Sequence, residues 1–349
     1  MHMNHAQTRT APTVSVIIPA YNSASFITQT LESVLAQTFK DFEVIVINDG
    51  SPDTDEFERG LQAYMSRIVY LKQDNQGPSA ARNLGILRAR GEYLAFLDAD
   101  DLWFPEYLHE QMKLFKQKPP LDLVYSDALQ YYSCMADGVP YSHDCPSRGP
   151  VTFESLLTEE CQIPTSAAIV RKQVVQDAGL FDEALWRSED YDLWLRIAHQ
   201  GASIAYQSSV LGLRRVRLDS LAAQNIKMLE SMVGVLRKLD VQLGLTIERR
   251  ALLQRKIVRT QAHVDLERGK AYLQQGRLRE AVDALHSANG FFHRPKLALI
   301  LLALRLSPRL GGTIANTLAK ISVASWRLRN HRRRNWPVSW ASLNLKPPD

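Results

Sequence analysis

Cysteine is scarce in this chain. Its three residues in 349, Cys134, Cys145 and Cys161, are odd in number and scattered. No CxxC pair or Cys/His cluster points to zinc, and a disulfide framework is not expected. A reducing compartment, the cytoplasm, fits best. Long apolar runs are missing as well. The longest in the C-terminal part, Leu297 to Leu304, has eight residues, far short of the roughly 20 that span a bilayer. Residues 1–13 are polar and lack an apolar h-region, so no signal peptide is expected. His2 and His5 there fit a flexible N-terminus better than a metal site.

Acidic residues are sparse at one end only. Residues 221–349 carry 23 Lys/Arg against 8 Asp/Glu, a balance of +15, whereas residues 1–220 carry 19 against 29, a balance of −10. The formal net charge of +5 therefore hides two segments of opposite sign, which reads as two functional parts.

What is present begins with a regular alternation. Val14 to Ile18 reads as a buried strand, and Ser25 to Gln37 as a helix with Ser25 as its N-cap. Glu43 to Ile47 is a second strand, closed by the turn signal Asn48-Asp49-Gly50-Ser51-Pro52. A helix over Asp55 to Met65, a strand over Ile68 to Leu71, a helix over Ser79 to Arg90 and a strand over Tyr93 to Leu97 complete a βαβαβαβ run. That order predicts a mostly parallel sheet covered by helices. Ligands of such sheets sit at the carboxyl ends of the strands, where three polar clusters fall: Pro19-Ala20-Tyr21-Asn22, Asp49-Gly50-Ser51 and Asp98-Ala99-Asp100-Asp101.

The last cluster places three carboxylates within four positions directly after an apolar strand. Residues i and i+2 of a strand share a face, so Asp98 and Asp100 converge and are suited to a hard divalent cation, Mg²⁺ or Mn²⁺. Asp101 is set against this as a cap for the helix after Pro105. The bland alternative makes all three loop and capping residues. Further on, Thr165 to Val170 and Leu211 to Val216 read as strands and Glu189 to His199 as a helix. Beyond about residue 220 strand signals stop. Glu267 to Ala288 reads as a helical hairpin with Gly276 at its turn, and it resembles a single tetratricopeptide-like unit, although such units ordinarily need about three copies to bury a core.

An ordered set of motifs resembles family 2 glycosyltransferases. It comprises Val16-Ile17-Ile18-Pro19-Ala20-Tyr21-Asn22, Ser33-Val34-Leu35-Ala36-Gln37-Thr38, Val46-Ile47-Asn48-Asp49-Gly50-Ser51, Gly77-Pro78-Ser79-Ala80-Ala81-Arg82-Asn83-Leu84-Gly85, Gly91 to Asp101, and Glu189-Asp190-Tyr191-Asp192-Leu193-Trp194-Leu195. Each motif is short, but their order and spacing over residues 14 to 218 are specific. Where the family often has Asp-Asp-Gly-Ser, this chain has Asn48-Asp49-Gly50-Ser51 and keeps the second Asp.

The resemblance implies an α/β GT-A fold with a Rossmann-like, mostly parallel central sheet, followed here by an all-α C-terminal region. The expected organisation is a flexible N-terminus (1–13), a GT-A domain (14–220), a helical region (221–325) and a basic Trp-containing tail (326–349). It also implies inverting transfer from a nucleoside-diphosphate sugar, with a UDP-sugar the expected donor, to a hydroxyl of a saccharide or lipid-linked acceptor in polysaccharide or glycoconjugate biosynthesis. In that reading Asp49 accepts from the nucleobase, Pro19, Ala20 and Tyr21 line the base, and Arg82 reaches the nucleotide. Asp100 is the main metal ligand, and Asp98 is a second ligand or a ribose acceptor. Asp190 is the general base and Glu189 orients the acceptor. Each assignment has its ordinary counterpart: an Asx-turn for Asp49, core packing for Tyr21, a surface helix position for Arg82 and N-terminal helix capping for Glu189-Asp190. Trp186 fits a sugar face or packing equally. One of Arg214, Arg215 and Arg217 is expected at the diphosphate, with no basis for choosing.

The last 30 residues hold seven Lys/Arg and one acid, with Trp326, Trp336 and Trp340 interleaved. Upstream, Ile314, Leu318, Ile321 and Ser325 recur at helical spacing. A basic, Trp-bearing, amphipathic end suits the cytoplasmic face of an anionic membrane. A disordered solubilising tail is the main alternative, and nucleic acid is not an expected partner. Two other functions compete with transfer. One is a non-catalytic nucleotide-sugar-binding scaffold. The other is an Asp-x-Asp phosphatase of the haloacid dehalogenase type, disfavoured because Leu102 stands where such enzymes place Thr.

Overall fold

The computed structural model describes residues 11–117, 120–132, 138–145, 147–216 and 225–306. They fall into two compact units, the described residues within 11–132 and 140–215 in one and those within 138–139, 216 and 225–306 in the other.

The first unit opens with β1 (Val14–Ala20), α1 (Ala24–Leu35), β2 (Phe42–Asp49), α2 (Thr54–Leu61), β3 (Val69–Gln73), α3 (Pro78–Arg88) and β4 (Tyr93–Phe96). β1 and β4 are buried on nearly every residue, as strands covered on both faces must be. These four strands run parallel in the order β3-β2-β1-β4. Chain order reverses between β1 and β4, so their carboxyl ends flank a topological switch point, where open α/β sheets bind ligands.

β5 (Leu102–Trp103), α4 (Tyr107–Phe115), β6 (Leu123–Tyr132), β7 (Val139–Pro140), α5 (Tyr141–Asp144), α6 (Phe153–Leu157), β8 (Ala168–Arg171), α7 (Lys172–Asp177), α8 (Glu189–His199) and β9 (Ile204–Val216) follow. They continue the same sheet as β4-β8-β6-β9-β5, with β7 beside β6. Here the pairing is antiparallel: Leu94 lies opposite Val170, Val124 opposite Ile169 and Leu102 opposite Leu213. The sheet is therefore mixed, with its parallel half formed by the βα run that the sequence displays.

Two local expectations are corrected. Ser25 does not cap α1, which starts at Ala24 after Ser23. The Asp53 carboxylate accepts from the Ala24 N–H at 2.8 Å, and Ser51 Oγ accepts from the Asn22 N–H at 2.7 Å. A neighbouring loop thus supplies the acceptors that a cap residue ordinarily provides. Asp101 does not cap α4 either. Two strand residues intervene, α4 begins at Tyr107 after Glu106, and Asp101 is buried beneath β9.

In the second unit the described residues 225–306 form α9 (Asn225–Gln242), α10 (Ile247–Gln274), α11 (Leu278–Phe292) and α12 (Pro295–Leu306). Gly276 turns the α10–α11 hairpin at φ +73°, a conformation natural to glycine. A Cβ on Gly269 would stand 2.6 Å from Leu285, so this glycine sets the close approach of the two helices. Leu297, Leu301 and Leu304 of α12 join Leu266, Leu273, Leu285 and Ala288 in one apolar cluster. A third helix thereby gives the single hairpin a core. Arg217, residues 326–349 and the apolar positions Ile314 to Ser325 lie outside the described residues.

Candidate active site at the carboxyl edge of the parallel strands

The switch point is lined by the residues after β1 and β4. Asn22, at φ +50°, turns the chain away from β1. Tyr21 is 52% exposed, which removes it from the core, while Ala20 is buried and Pro19 half-buried beneath it.

On the β4 side, the three clustered carboxylates occupy different environments. The Asp98 side chain is 41% exposed, Asp100 is half-buried and Asp101 is 2% exposed. The turn is held from below, because Thr30 Oγ1 donates to the carbonyls of Ala99 (2.8 Å) and Asp101 (2.9 Å). Asp101 Oδ1 accepts from the Arg215 backbone N–H at 2.9 Å. Burial, then the charges of Asp100 and Asp98, push the Asp101 carboxyl well above its ordinary range.

Arg82 organises the site. It projects from α3, is 5% exposed, and donates to Glu189 Oε1 at 2.6 Å and to Asp98 Oδ1 at 2.8 Å. Burial acts against its charge, but Asp98, Glu189 and Asp190 outweigh it and hold the guanidinium protonated. Glu189 is 8% exposed and faces Arg82. Burial raises its pKa, as does Asp190, and the Arg82 charge opposes the rise. Asp190 is half-buried and accepts from Thr165 Oγ1 at 2.8 Å and from the Tyr191 N–H at 2.7 Å.

Thr165 and its neighbour Ser166 bind both sides of the site, since Ser166 Oγ accepts from the Asp98 N–H at 3.1 Å. Neither hydroxyl was singled out from sequence, where Thr165 to Val170 reads as a plain strand. Pro164 followed by two hydroxyl residues was the available turn signal. In the structure Thr165–Ala167 is a 3₁₀ turn preceding β8.

Asp49 lies one strand further out, at the end of β2. Its carboxylate accepts from Gln73 Nε2 (2.7 Å), Gln76 N–H (2.9 Å) and Gly77 N–H (2.9 Å). It fixes the loop before α3, on which Trp186 rests. Trp186 is 49% exposed, and a Cβ on Gly77 would meet its ring at 3.3 Å. Arg215 is committed to structure: its guanidinium donates to the Asp100 carbonyl and to Gln29, and it lies over the Phe26 ring at 5.1 Å.

Asp98 and Asp100 present hard oxygen donors of the kind Mg²⁺ and Mn²⁺ take. Among the described residues no group of three or more His, Cys, Asp or Glu gathers as a complete metal cage. The donor set fits a cation held by one or two carboxylates, with phosphate and water oxygens as its other ligands.

A parallel βα half carrying acidic residues at its carboxyl edge, continued by an antiparallel half that brings a second acidic pair, is the GT-A class of architecture. Solved structures agree. Staphylococcus aureus TarS 1–349 in complex with UDP-GlcNAc superposes with a TM-score of 0.58 at 18% identity, covering 89% of this chain and 92% of that one. The mannosyltransferase PcManGT from Pyrobaculum calidifontis, in complex with GDP-Man and Mn²⁺, gives 0.57 at 20% identity, covering 90% and 87%. At these identities the likeness is one of fold.

The family model described as Glycosyl transferase family 2 matches residues 15–175. A Rickettsia prowazekii glycosyltransferase is 30% identical over 240 residues, covering 66% of this chain and 73% of its own length. Escherichia coli WfaP, a UDP-Glc:alpha-D-GlcNAc-diphosphoundecaprenol beta-1,3-glucosyltransferase, is 30% identical over 230 residues, covering 66% and 87%. The chain belongs to glycosyltransferase family 2. It spans only 33% of the length of its Rickettsia felis relative.

Proposed function

We propose that this chain is an inverting, divalent-cation-assisted glycosyltransferase. It moves a sugar from a nucleoside-diphosphate donor, a UDP-sugar, to a hydroxyl of a saccharide or lipid-linked acceptor in polysaccharide or glycoconjugate biosynthesis. The observation that supports this most is the connected set Asp98–Arg82–Glu189, with Asp190 next along α8 and tied back through Thr165 and Ser166. Relatives and fold neighbours add to it: the E. coli relative is named for a UDP-sugar donor and a diphospholipid-linked acceptor, and the fold neighbours hold UDP-GlcNAc or GDP-Man.

In this reading the acceptor oxygen bonds to the anomeric carbon from the face opposite the diphosphate, and the carbon–oxygen bond to phosphate breaks. Asp190 takes the acceptor's proton, and the bonding electron pair leaves with the nucleoside diphosphate. Arg82 holds Asp98 and Glu189 in place, so Glu189 acts on the acceptor side through the buried pair. Asp49 shapes the base pocket through the 73–77 loop and retains a carboxylate lone pair for a nucleobase N–H; Pro19, Ala20 and Tyr21 form its wall. Asp100 and Asp98 would hold Mg²⁺ or Mn²⁺, which when bound neutralises charge developing on the diphosphate. Residues 14–220 are assigned to transfer, the helical region to support, and the basic segment 326–349 to holding the enzyme at the cytoplasmic face of an anionic membrane.

A panel of nucleotide sugars with Mn²⁺, assayed for donor hydrolysis and for transfer to a GlcNAc-diphosphoprenol acceptor, tests the reading. Asp190→Asn should lose transfer at least 10²-fold while still binding UDP. Asp100→Ala and chelation should each remove metal-dependent turnover. A wild type that neither binds nor consumes any donor of the panel would refute the proposal.

A further inference from the structure

Trp186 has no part in the chemistry proposed above, yet its side chain stays in water at 49% exposure and forgoes the stabilisation that burial of an indole would give. The chain on either side of it is held firmly. The segment before it is tied to α3: Ser79 Oγ donates to the Leu185 carbonyl at 2.9 Å, and Asn83 Nδ2 donates to the Phe181 carbonyl and to Glu183, each at 2.9 Å. The Phe181 N–H returns a bond to Asn83 Oδ1 at 3.0 Å. After it, Ser188 is buried and turns the chain into α8 at φ +56°.

The ring itself is seated on one face. A Cβ on Gly77 would stand 3.3, 3.4 and 3.5 Å from Trp186 Cδ2, Cε3 and Cε2. Cδ2 is bonded to both of the others, so distances this nearly equal put Gly77 above the ring plane and not at its rim. The exposure therefore falls on the opposite face and the edges. Gly77 is fixed in turn, because its N–H donates to Asp49 at 2.9 Å. Trp186 stands three residues before Glu189 and four before Asp190, the pair assigned to the acceptor, whereas Tyr21 already supplies an aromatic wall on the nucleobase side. The negative π face of an indole attracts the C–H groups of a pyranose whose hydroxyls are equatorial. An aromatic ring on a loop that a rigid scaffold holds gives up little freedom when it binds.

We infer that the free face of Trp186 is a stacking platform for a pyranose ring of the acceptor, one with equatorial hydroxyls, held in place by Gly77 beneath the ring and by α3 through Leu185. The assignment rests on the transferase reading above and adds to it the class of acceptor surface that the site takes.

The test compares the full chain with Trp186→Ala and Trp186→Phe. It measures transfer to GlcNAc-diphosphoprenol and to a panel of aryl glycosides, and UDP binding by calorimetry. Trp186→Ala should raise acceptor KM at least about tenfold while kcat and UDP binding hold, and Trp186→Phe, which keeps an aromatic face, should recover part of the loss. Acceptor should also change the tryptophan fluorescence of the wild type, and Trp186→Phe should remove that change. Weaker UDP and uridine binding in Trp186→Ala with acceptor KM unchanged would put the ring on the donor's base and overturn the assignment. Unchanged acceptor KM and unchanged UDP binding would make it a packing residue and overturn the assignment, with the transferase reading left standing. A wild type that binds no UDP or GDP and transfers to no acceptor of the panel overturns both. Thermal melting of each variant shows that it is folded.

Discussion

Arg82 shows why a single residue decides the state of this site. Its partners lie 16 and 107 residues away in sequence, and both are carboxylates beside further acids. Removing it leaves Glu189 buried and unpaired next to Asp190. Breaking one side of a buried pair costs about 3–5 kcal/mol, so Arg82→Ala should lower the urea midpoint at unchanged slope and abolish transfer. The double variant Arg82→Ala/Glu189→Gln should recover part of that stability, because the orphaned charge is gone. Equal stability of the single and double variants would contradict the pairing. The sequence marks Arg82 within a motif but does not show what it touches. Asp98 and Asp100 are more legible, because an apolar strand running into acids is a local pattern.

At the scale of elements, the parallel half is clamped at the amino end of its strands. Ser15 and Glu43 are cross-strand partners on β1 and β2. Glu43 accepts from Ser15 Oγ at 2.7 Å, Arg90 N–H at 2.7 Å and Arg90 Nε at 2.8 Å, and Gly91 donates to Ser15. Burial works against the Glu43 charge, yet the bonds from Arg90 and Ser15 and the Arg90 charge outweigh it and hold its pKa below the ordinary value. A lowered native pKa means the unfolded chain binds the proton more readily. The stability Glu43 contributes is therefore present above its unfolded pKa, near 4.3, and is lost as pH falls through the folded value. Glu43→Gln should cost about 1–2 kcal/mol at pH 7, with the gap from wild type closing toward pH 3 in denaturant titrations. A gap independent of pH would show that the charge is irrelevant. The periodicity of β1 to β4 was readable because each strand is a short apolar run followed by turn residues. The antiparallel half was less so: Thr165 to Val170 and Leu211 to Val216 read as strands and overlap β8 and β9, but β6 did not stand out, and the pairing of the three is settled by long-range contact.

At the scale of the whole chain, the acidic first 220 residues and the basic remainder predict different partners. No helix among the described residues is long and apolar enough to cross a membrane, so the proposed membrane association is a matter of surface charge and tryptophan. Each basic residue near an anionic surface contributes on the order of 1 kcal/mol, screened by salt. The full chain should float with phosphatidylserine-rich liposomes at low salt, and a variant lacking residues 310–349 should stay in the soluble fraction. Equal partitioning of the two would remove the tail from the account.

Sequence alone determined the βα order, the place of Asp98 and Asp100 at a strand end, the acidic pair at the start of α8, and the helical character after residue 220. All of these are local, because a side chain's periodicity and its immediate neighbours carry the information. The tertiary structure decided what depends on distance through space. It buried Asp101 under β9 instead of at a helix cap, turned Glu189 to Arg82, and joined Thr165 to the Asp190 carboxylate and Ser166 to the Asp98 backbone N–H. It also separated Arg214 from Arg215. Adjacent residues of one strand face opposite ways, and only the packed sheet determines that one face meets α1 and the other meets Tyr141.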